Sequence, residues 1–464
     1  MQKYDLIVIG SGPAGEKGAV KAAYFGRKVA LIEKKDLFGG AGVHTGTLPS
    51  KTLKETALFL SGKVERGLYG INRGLEREAS IEDFMYRKDL LSQSEGSEVL
   101  KNLKQHGVDI FHGTAAFEDS HQVRIKETNE LIYGEYILIS TGSFPYHPPY
   151  IPFDGKRILD SDTILQLTRF PKSICVLGAG VIGCEYATIF STLGTKVFLV
   201  NDKDKILPFI DEEITKELIL QMQRDQIEII FNTSVDKVVL TEKDVRVTLK
   251  SGQIIDVDMF LFAAGRQGAS KGLNAEKIGL KIDERGFFVV DNRYCTNIPH
   301  IFAVGDVIGY PALASTSMDQ GRVAVAQIYQ TKDLEHIANV YPFGIYTVPE
   351  ISQVGLSEQE AQKQKITYVV GRARYKDMPR GKIMGAQYGF LKILFSLPDL
   401  KVIGVSLIGH IATELIHYGM ELTHHQTLLN DIIGRVFNSP TLHELYKYAA
   451  YDALSTHTGK RIKS

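Results

Sequence analysis

The sequence predicts an α/β protein in which one strand–turn–helix–strand unit occurs twice, followed by a C-terminal region of α+β character. Two observations predict this fold class. A segment that begins at Ile7 and a segment that begins at Cys175 align without a gap, at an offset of 168 residues. Beyond about residue 340 the sequence pattern changes to strand-like runs followed by helical runs, which is typical of an α+β domain.

Each copy of the repeat reads as an apolar strand, a glycine turn, a helix and a second apolar strand, which is a βαβ unit. The strands are predicted at 6–9 and 29–32 in the first copy and at 174–177 and 197–200 in the second. The glycines that coincide are Gly10, Gly12 and Gly15 with Gly178, Gly180 and Gly183. In such a turn the first glycine permits the bend, the second admits a pyrophosphate and the third lets helix and strand pack closely. The helix N-terminus favours phosphate. The repeat therefore predicts two Rossmann-like dinucleotide-binding domains.

The two copies differ at the end of their second strand. Glu33 ends that strand in the first copy, where a carboxylate accepts hydrogen bonds from an adenosine ribose. The aligned residue in the second copy is Asn201, and Lys203 and Lys205 follow it closely. An amide can bond the 2′-hydroxyl without repelling a 2′-phosphate, and lysines can pair with that phosphate. The second site is therefore predicted to accept both NAD and NADP; the alternative is that the two lysines belong only to a solvated face.

Composition restricts the partners and the compartment. Lysine plus arginine equals aspartate plus glutamate at 54 each, which argues against nucleic acid or an anionic membrane surface as the main partner. No apolar run approaches the roughly 20 residues that span a bilayer, and the N-terminus reads as a strand rather than a signal peptide. The three cysteines fit a reducing compartment. We therefore expect a cytoplasmic protein without a membrane or nucleic-acid partner.

Seven motifs occur in a fixed order along the chain. They are GSGPAG (10–15), GTLPSK (46–51), STGS (140–143), GAGVIGCE (178–185), AAGR (263–266), IFAVGDV (301–307) and FNSPTLHE (437–444). With these motifs the chain resembles the flavoprotein disulfide reductase superfamily over essentially its whole length. The resemblance implies FAD on the first nucleotide domain and a nicotinamide dinucleotide on the second. It also implies a homodimer built by the C-terminal domain, whose motif around Ser439 to Glu444 reaches the flavin of the partner.

The resemblance assigns roles to individual residues. Lys51 of the PSK motif would lie near flavin N5 and pair with Glu185, and Asp306 would contact the ribityl or pyrophosphate region. An ammonium beside reduced flavin favours its negative charge, and a carboxylate keeps that lysine charged in a buried site. The same motifs add further candidate cofactor contacts: Thr141, Gly142, Gly265, Arg266 and Gly305. Arg266 is a candidate for contact with the nicotinamide dinucleotide, and the alternative is a domain-packing arginine.

One departure from the superfamily pattern decides the expected chemistry. Disulfide reductases of this kind carry two cysteines just before PSK, and the aligned residues here are Gly42 and Thr47. No cysteine precedes Cys175. Thiol–disulfide exchange needs a thiolate, which neither glycine nor threonine supplies. The C-terminal HPTxxE motif of those enzymes also loses its histidine, because Ser439 stands there. A dihydrolipoamide dehydrogenase is therefore not expected.

Without a dithiol, electrons that reach the flavin must leave from the flavin itself. Within the superfamily the motifs are most similar to the soluble pyridine nucleotide transhydrogenases, although that group commonly keeps the first cysteine and has a tyrosine where Ser439 stands. The leading hypothesis is therefore an FAD-dependent NAD(P)H oxidoreductase that moves hydride between NADPH and NAD. The alternatives are an NAD(P)H:quinone or dye reductase and, in another class, a non-catalytic flavin-binding redox sensor or scaffold.

The predicted domains are an FAD-binding segment, a nicotinamide domain, a return segment of the FAD domain and an interface domain. Their expected boundaries are 1–150, 151–270, 271–340 and 341–464. Helical runs are expected over 420–436 and 442–454 within the interface domain. His44 can orient a flavin edge, but a packing role is favoured. No metal site is expected from the C-terminal histidines, because no cysteine or carboxylate set completes one.

Overall fold

The computed structural model describes residues 1–62, 79–331 and 336–460. The strands, in chain order, are β1 (Gln2–Ile9), β2 (Val29–Glu33), β3 (Asp109–His112), β4 (Ala115–Phe117), β5 (Gln122–Ile125), β6 (Glu130–Ile139), β7 (Ser143–Pro145), β8 (Ile158–Asp160), β9 (Ser173–Leu177), β10 (Lys196–Val200), β11 (Glu228–Ile230), β12 (Val235–Leu240), β13 (Val245–Leu249), β14 (Ile254–Val257), β15 (Met259–Phe262), β16 (Arg266–Gly268), β17 (Ile301–Ala303), β18 (Phe343–Ile345), β19 (Glu350–Gly355), β20 (Tyr368–Arg374), β21 (Phe390–Ser396) and β22 (Val402–Gly409).

The helices follow the same order. They are α1 (Pro13–Tyr24), α2 (Gly40–His44), α3 (Thr47–Ser61), α4 (Ile81–Gln105), α5 (Val181–Thr192), α6 (Glu212–Arg224), α7 (Ala314–Tyr329), α8 (Glu358–Lys363), α9 (Pro379–Ile383), α10 (Ala412–His424), α11 (Leu429–Gly434) and α12 (Glu444–Thr458). Short 3₁₀ turns occupy Thr163–Gln166, Glu276–Ile278, Gly305–Ile308 and Tyr375–Asp377. The strands and helices predicted for both repeat copies are confirmed by β1, α1, β2 and by β9, α5, β10.

The described residues divide into two compact units. The first is drawn from 1–53, 81–168 and 265–337, and the second from 54–80, 169–264 and 338–464. Each unit holds one copy of the repeat. The four predicted domain boundaries stay a prediction.

The first unit is built on a mixed sheet in the order β3-β2-β1-β6-β5-β4, with β17 also paired to β6. Strands β3, β2, β1, β6 and β17 run parallel, and β5 and β4 continue antiparallel. Along β1, Ile7 and Ile9 enter one apolar core while Leu6 and Val8 enter the core on the opposite face. A strand buried on both faces requires a continuous apolar run, which is what this segment has. Helices α1 and α7 cover the second face.

The second unit contains a parallel run in the order β11-β10-β9-β15 and an antiparallel meander, β12-β13-β14. It also contains an antiparallel sheet in the order β18-β19-β22-β21-β20. Helices α10 and α12 pack on this sheet through a core that includes Leu391, Ile393, Leu407, Leu415 and Tyr446. The α+β character predicted for the C-terminal region is therefore confirmed.

The helical run expected over 420–436 is present but interrupted, because the structure divides this segment between α10 and α11. Gln426 adopts a left-handed conformation, with φ at 47°, and its amide donates to the carbonyl of Thr423. The amide of Thr427 donates to the carbonyl of Leu422. This double closure ends a helix in the way a Schellman motif does. The periodic apolar pattern continued past the break and concealed it.

A buried ionic cluster lies on the other face of β21. Lys392 stands between Leu391 and Ile393, so strand alternation places it opposite the apolar core. Its Nζ lies 2.9 Å from Asp211 Oδ1, 3.1 Å from Glu213 Oε2 and 2.5 Å from Glu358 Oε2. The side chain of Lys392 is 1% exposed and that of Asp211 is fully buried. The cluster therefore joins the start of α6 to the C-terminal sheet and α8.

Candidate dinucleotide-binding sites

The three glycines of the first glycine turn have different roles: two are required by packing within the protein, and the middle one faces open space. A Cβ added to Gly10 would lie 2.6 Å from the carbonyl oxygen of Ser140, and one added to Gly15 would lie 2.0 Å from the carbonyl oxygen of Gly10. Of the residues that the structure describes, a Cβ on Gly12 would meet only Gly40, whose Cα would lie 3.9 Å away. The protein itself therefore requires the outer two glycines, whereas the space beside the middle one accommodates an approaching phosphate.

The second glycine turn repeats this geometry. A Cβ on Gly178 would lie 2.8 Å from the carbonyl oxygen of Ala263, and one on Gly183 would lie 1.8 Å from that of Gly178. Among the described residues, nothing lies within 4 Å of a Cβ on Gly180. Gly12 and Gly180 also occupy the same place, since each caps the N-terminus of the helix that follows, α1 or α5. Both turns therefore present free helix N–H groups beside an open backbone position.

Strand register brings the candidate loops of each unit to one sheet edge. In the first unit Ile9 of β1 and Ala303 of β17 both pair with Ile139 of β6. The glycine turn, the STGS loop and the turn that carries Asp306 therefore begin at the same level. In the second unit Leu177 of β9 pairs with both Val200 and Phe262. Ligands of open α/β sheets bind at this carboxyl edge, where connections leave in opposite directions.

Glu33 and Asn201 make the same hydrogen bond in the two copies. Glu33 Oε2 accepts from the amide of Ser11 at 2.8 Å, and Asn201 Oδ1 accepts from the amide of Ala179 at 3.1 Å. Ser11 also donates its hydroxyl to Glu33 at 2.8 Å. Each side chain thus holds the strand end against its glycine turn. The equivalence predicted from the alignment is present in the geometry.

Asn201 also donates hydrogen bonds that the sequence did not reveal. Its Nδ2 donates to the carbonyl oxygens of Lys203 at 3.3 Å and Lys205 at 3.0 Å. These hydrogen bonds hold the loop that carries both lysines. The amide hydrogens of Asn201 are therefore used within the protein and not by a ribose. Lys205 Nζ lies 2.6 Å from Glu212 Oε1, so this lysine is already ion-paired. Lys203 is exposed on the same loop.

Arg266, Ser143 and Asp306 form a network in the first unit. Arg266 donates through Nε to Ser143 Oγ at 2.9 Å and through Nη2 to the Ser143 carbonyl at 2.8 Å. It also reaches Ser161 Oγ at 3.2 Å, and Asp162 lies 3.6 Å away. Ser143 Oγ in turn donates to Asp306 Oδ2 at 3.0 Å. Because guanidinium is only a donor, it directs the serine proton to Asp306. This arrangement favours the packing interpretation of Arg266 over direct contact with a nicotinamide dinucleotide.

The remaining candidates of this edge are backbone features. Thr141 donates its hydroxyl to the carbonyl of Ala269 at 2.8 Å. Gly142 and Gly265 have φ values of 76° and 149°, and no atom of residues 1–62, 79–331 or 336–460 lies within 4 Å of a Cβ on either. Gly305 donates its amide to Gln320 Oε1 at 2.8 Å. These positions shape the STGS, AAGR and GD loops, and their contacts with a cofactor stay a prediction.

Lys51 and Glu185 belong to different compact units, and their pairing stays a prediction. Lys51 lies on α3, and its Nζ is 3.3 Å from Ser50 Oγ. Glu185 lies on α5 and is 3% exposed. Its Oε1 accepts from the amide of Tyr346 at 2.9 Å. A buried carboxylate held by a backbone amide is fixed in position.

The positions where disulfide reductases carry cysteines lie in α2 and at the start of α3. A Cβ on Gly42 would lie 2.9 Å from Pro13 Cγ, so this position is tightly packed. Nearby His44 donates through Nε2 to the carbonyl oxygen of Phe38 at 2.6 Å, and its ring packs beside Gly96. Burial lowers the pKa of His44, against a smaller opposing contribution from that hydrogen bond. These contacts favour the packing role.

The three cysteines lie elsewhere. Cys175 and Cys184 are fully buried on β9 and α5, and Cys295 is half-buried in the first unit. Burial raises the pKa of Cys175 to about 12 and also raises the pKa of Cys184 and of Cys295. Protonated, buried thiols are poor nucleophiles.

The C-terminal motif forms a local turn before α12. The amide of Thr441 donates to Glu444 Oε2 at 3.2 Å, and His443 follows in a partly buried position whose pKa burial lowers. Within 1–62, 79–331 and 336–460, no group of three or more histidine, cysteine, aspartate or glutamate residues is arranged to hold a metal ion. Over the same ranges no helix combines the length and the apolar character needed to cross a membrane.

Sequence reasoning missed two serines. Ser11 and Ser143 bridge candidate residues through their hydroxyls. Ser11 lies between two glycines of the turn, and the residue aligned with it in the second copy, Ala179, has no hydroxyl that would have drawn attention to it. Ser143 ends the STGS motif and could have been singled out there.

Two strand–turn–helix–strand units with the same glycine-turn geometry, each at the carboxyl edge of a parallel sheet, define a protein that binds two dinucleotides. The sequence profile of the pyridine nucleotide-disulphide oxidoreductase family matches residues 4–321. The profile of the dimerisation domain of that family matches residues 341–450. The chain therefore belongs to the pyridine nucleotide-disulphide oxidoreductases, and the predicted superfamily and fold class are confirmed.

Several relatives match nearly the whole chain. The soluble pyridine nucleotide transhydrogenase of Mycobacterium tuberculosis is 40% identical over 459 residues, covering 98% of this chain and 98% of the relative. The protein of the same name from Hahella chejuensis is 39% identical over 463 residues, with 98% of both chains covered. That of Pseudomonas putida is 39% identical over 462 residues, covering 97% of this chain and 98% of its own.

Solved structures share the fold. The HOCl-induced flavoprotein disulfide reductase RclA from Escherichia coli superposes with a TM-score of 0.88 at 27% identity, covering 97% of this chain and 99% of that one. LpdA from Mycobacterium tuberculosis gives a TM-score of 0.88 at 24% identity, with 97% and 99% covered.

The family uses FAD and a nicotinamide dinucleotide, so the chain is an FAD-dependent oxidoreductase. The first unit fits FAD. It offers an open position at Gly12, a buried carboxylate at Glu33 and a second carboxylate, Asp306, oriented by Ser143. The dimerisation domain supports the predicted homodimer.

Proposed function

We propose that this protein transfers hydride between NADPH and NAD⁺, giving NADP⁺ and NADH. The observation that carries the proposal is the residue pair Gly42 and Thr47, which stands where a dithiol relay would require two cysteines. The similarity to several soluble pyridine nucleotide transhydrogenases at 39–40% identity over nearly full length supports it. The overall reaction requires neither a thiol nor a proton, because one hydride leaves one nicotinamide and joins the other.

The residues of this chain would act by binding and orienting. In the first unit Gly12, Glu33 and Asp306 would hold FAD, which when bound supplies a hydride acceptor and donor between the two dinucleotides. In the second unit the Gly178–Gly183 turn would receive the pyrophosphate of either dinucleotide in turn. One site that accepts both ligands is sufficient, because the first product can leave before the second substrate binds.

Lys51 and Glu185 are proposed to set the electrostatics beside the flavin. The buried Glu185 carboxylate, fixed by the amide of Tyr346, would stabilise a neighbouring ammonium. A positive charge there would favour the reduced cofactor. A homodimer in the cytoplasm is part of the proposal.

The experiment is a steady-state assay of purified, flavin-loaded protein with NADPH and thio-NAD⁺. We expect thio-NADH to accumulate, and we expect Cys295→Ser to turn over at the wild-type rate, since no thiol takes part. In parallel reactions, dihydrolipoamide with NAD⁺ should give no turnover. Reduction of a quinone without reduction of thio-NAD⁺ would instead support the NAD(P)H:quinone reductase. Absence of any flavin reduction by NADH or NADPH would support the sensor.

A further inference from the structure

The loop between β10 and α6 is fastened directly to the second glycine turn. Ala179 donates its amide to Asn201 Oδ1 at 3.1 Å, and its carbonyl accepts from the amide of Leu207 at 3.1 Å. Both backbone groups of this turn residue are therefore engaged by the same loop. Asn201 also binds the carbonyls of Lys203 and Lys205. The two lysines thus lie on a loop whose position is set by the proposed pyrophosphate turn.

Glu212 faces this loop from the first residue of α6. Its Oε1 lies 2.6 Å from Lys205 Nζ, and its Oε2 lies 3.8 Å from Lys216 Nζ. The side chains of Lys205 and Glu212 are 54% and 44% exposed, so an incoming ligand can compete for the lysine. The Lys205 hydrogen bond holds the pKa of Glu212 below its usual range, so the carboxylate is charged at neutral pH.

The backbone that carries Glu212 is rigidly held. The preceding residue, Asp211, caps α6 by accepting from the amide of Glu213 at 3.0 Å, and it is fully buried against Lys392. The amide of Glu212 donates to Gln359 Oε1 at 3.3 Å. The carboxylate therefore stands at a defined place beside Lys205 rather than moving with a flexible loop.

A 2′-phosphate and a carboxylate are alternative partners for the same ammonium. NADP carries that phosphate on the ribose, at the end of β10 where Asn201 and the lysines lie, and NAD does not. We propose that Glu212 is a specificity-determining residue that competes with the 2′-phosphate for Lys205 and so moderates the affinity for NADP(H) without affecting NAD(H). The proposal rests on the proposed function, since it concerns the same dual-ligand site.

The test is calorimetric binding to the full-length, flavin-loaded protein, with adenosine 2′,5′-bisphosphate and 5′-AMP as matched probes. Glu212→Gln should tighten binding of the bisphosphate about two- to fivefold, the range that a surface ion pair contributes. It should leave 5′-AMP unchanged. The gain should shrink in high salt, because exposed charges are screened. A gain in affinity cannot result from a damaged fold.

Two further variants test whether the gain in affinity arises from the ion pair between Glu212 and Lys205. Glu217→Gln removes the same charge from the same helix, where Glu217 accepts a hydrogen bond from Gln221 instead of a lysine. In the Lys205→Gln background, Glu212→Gln should give no gain. An equal gain from Glu217→Gln, a gain that persists without Lys205, or no gain at all would overturn the proposal. These binding experiments can be interpreted even if the wild-type protein fails to reduce thio-NAD⁺. The proposed role of Glu212 and the proposed hydride transfer can therefore fail separately.

Discussion

Two alanine substitutions three residues apart in the second glycine turn should separate nucleotide binding from stability. In Gly183→Ala the new methyl would lie 1.8 Å from the carbonyl oxygen of Gly178. In Gly180→Ala the methyl would meet no atom of the described part of the chain within 4 Å, and the backbone, with φ at −78° and ψ at −169°, already suits alanine. The chemical change is identical, so any difference reflects position.

The magnitudes follow from this geometry. Gly183→Ala forces α5 away from the turn by more than an ångström, and overpacking of this kind costs about 1–3 kcal/mol or more. The higher helix propensity of alanine returns at most about 1 kcal/mol. For Gly180→Ala, alanine is a poorer N-cap than glycine by about 0.5–1 kcal/mol, and this loss offsets a gain of about 0.4–1 kcal/mol from the less flexible unfolded chain. Its stability should therefore stay within about 0.5 kcal/mol of wild type.

Binding should show the reverse order. The Gly180→Ala methyl would occupy the space proposed for the pyrophosphate, and we expect NADH to bind at least about tenfold more weakly, or about 1.4 kcal/mol. Urea unfolding and calorimetric titration with NADH measure the two quantities on the same samples. Full NADH affinity in a stable Gly180→Ala protein would refute the assignment of the ligand-facing glycine. An undestabilised Gly183→Ala protein would refute the packing argument.

Three other predictions concern buried charge and the Arg266 network. Lys392→Met should lower the urea midpoint by the equivalent of about 3–5 kcal/mol, because it leaves the fully buried Asp211 carboxylate without its ammonium partner, while Glu213 keeps its ion pair with Arg372; a midpoint equal to wild type would contradict this. Burial opposes ionisation of Glu213 and Glu350, but their arginine and lysine partners hold both pKa values below 4.5. Their stabilising contribution should therefore be complete above about pH 4.5 and lost as pH falls through the lowered values, and a urea midpoint that rose on acidification through this range would contradict it. Arg266→Met should lower the fraction of protein that retains FAD while changing the NADH dissociation constant less than about twofold, because its contacts orient Ser143; normal FAD retention with weak NADH binding would restore the direct-contact interpretation.

The sequence could predict what depends on local pattern. The glycine spacing, the apolar strands and the end of each second strand identified both βαβ units. The alignment also placed Glu33 and Asn201 at equivalent positions, where the structure shows that each accepts a hydrogen bond from its glycine turn. The same alignment could not show how Asn201 uses its amide hydrogens. Those bonds depend on the fold of the loop that follows.

Features that join distant parts of the chain were inaccessible to pattern reasoning. Lys392 and Asp211 are 181 residues apart and form a buried pair, although both residue types are usually exposed. Arg266 reaches Ser143 across 123 residues, and this contact favours a packing role over the ligand contact that the motif alone suggested. The break between α10 and α11 was missed because Gln426, a residue without turn preference, adopts the left-handed conformation.

The central claim is tested most directly by two half-reactions in a stopped-flow instrument, after the accessible thiols have been alkylated. NADPH should reduce the bound flavin in the first mixing step, and thio-NAD⁺ should reoxidise it in the second, at rates that match steady-state turnover and do not change on alkylation. Reoxidation by a disulfide substrate at a comparable rate, or loss of the thio-NAD⁺ step on alkylation, would contradict hydride transfer without a thiol relay.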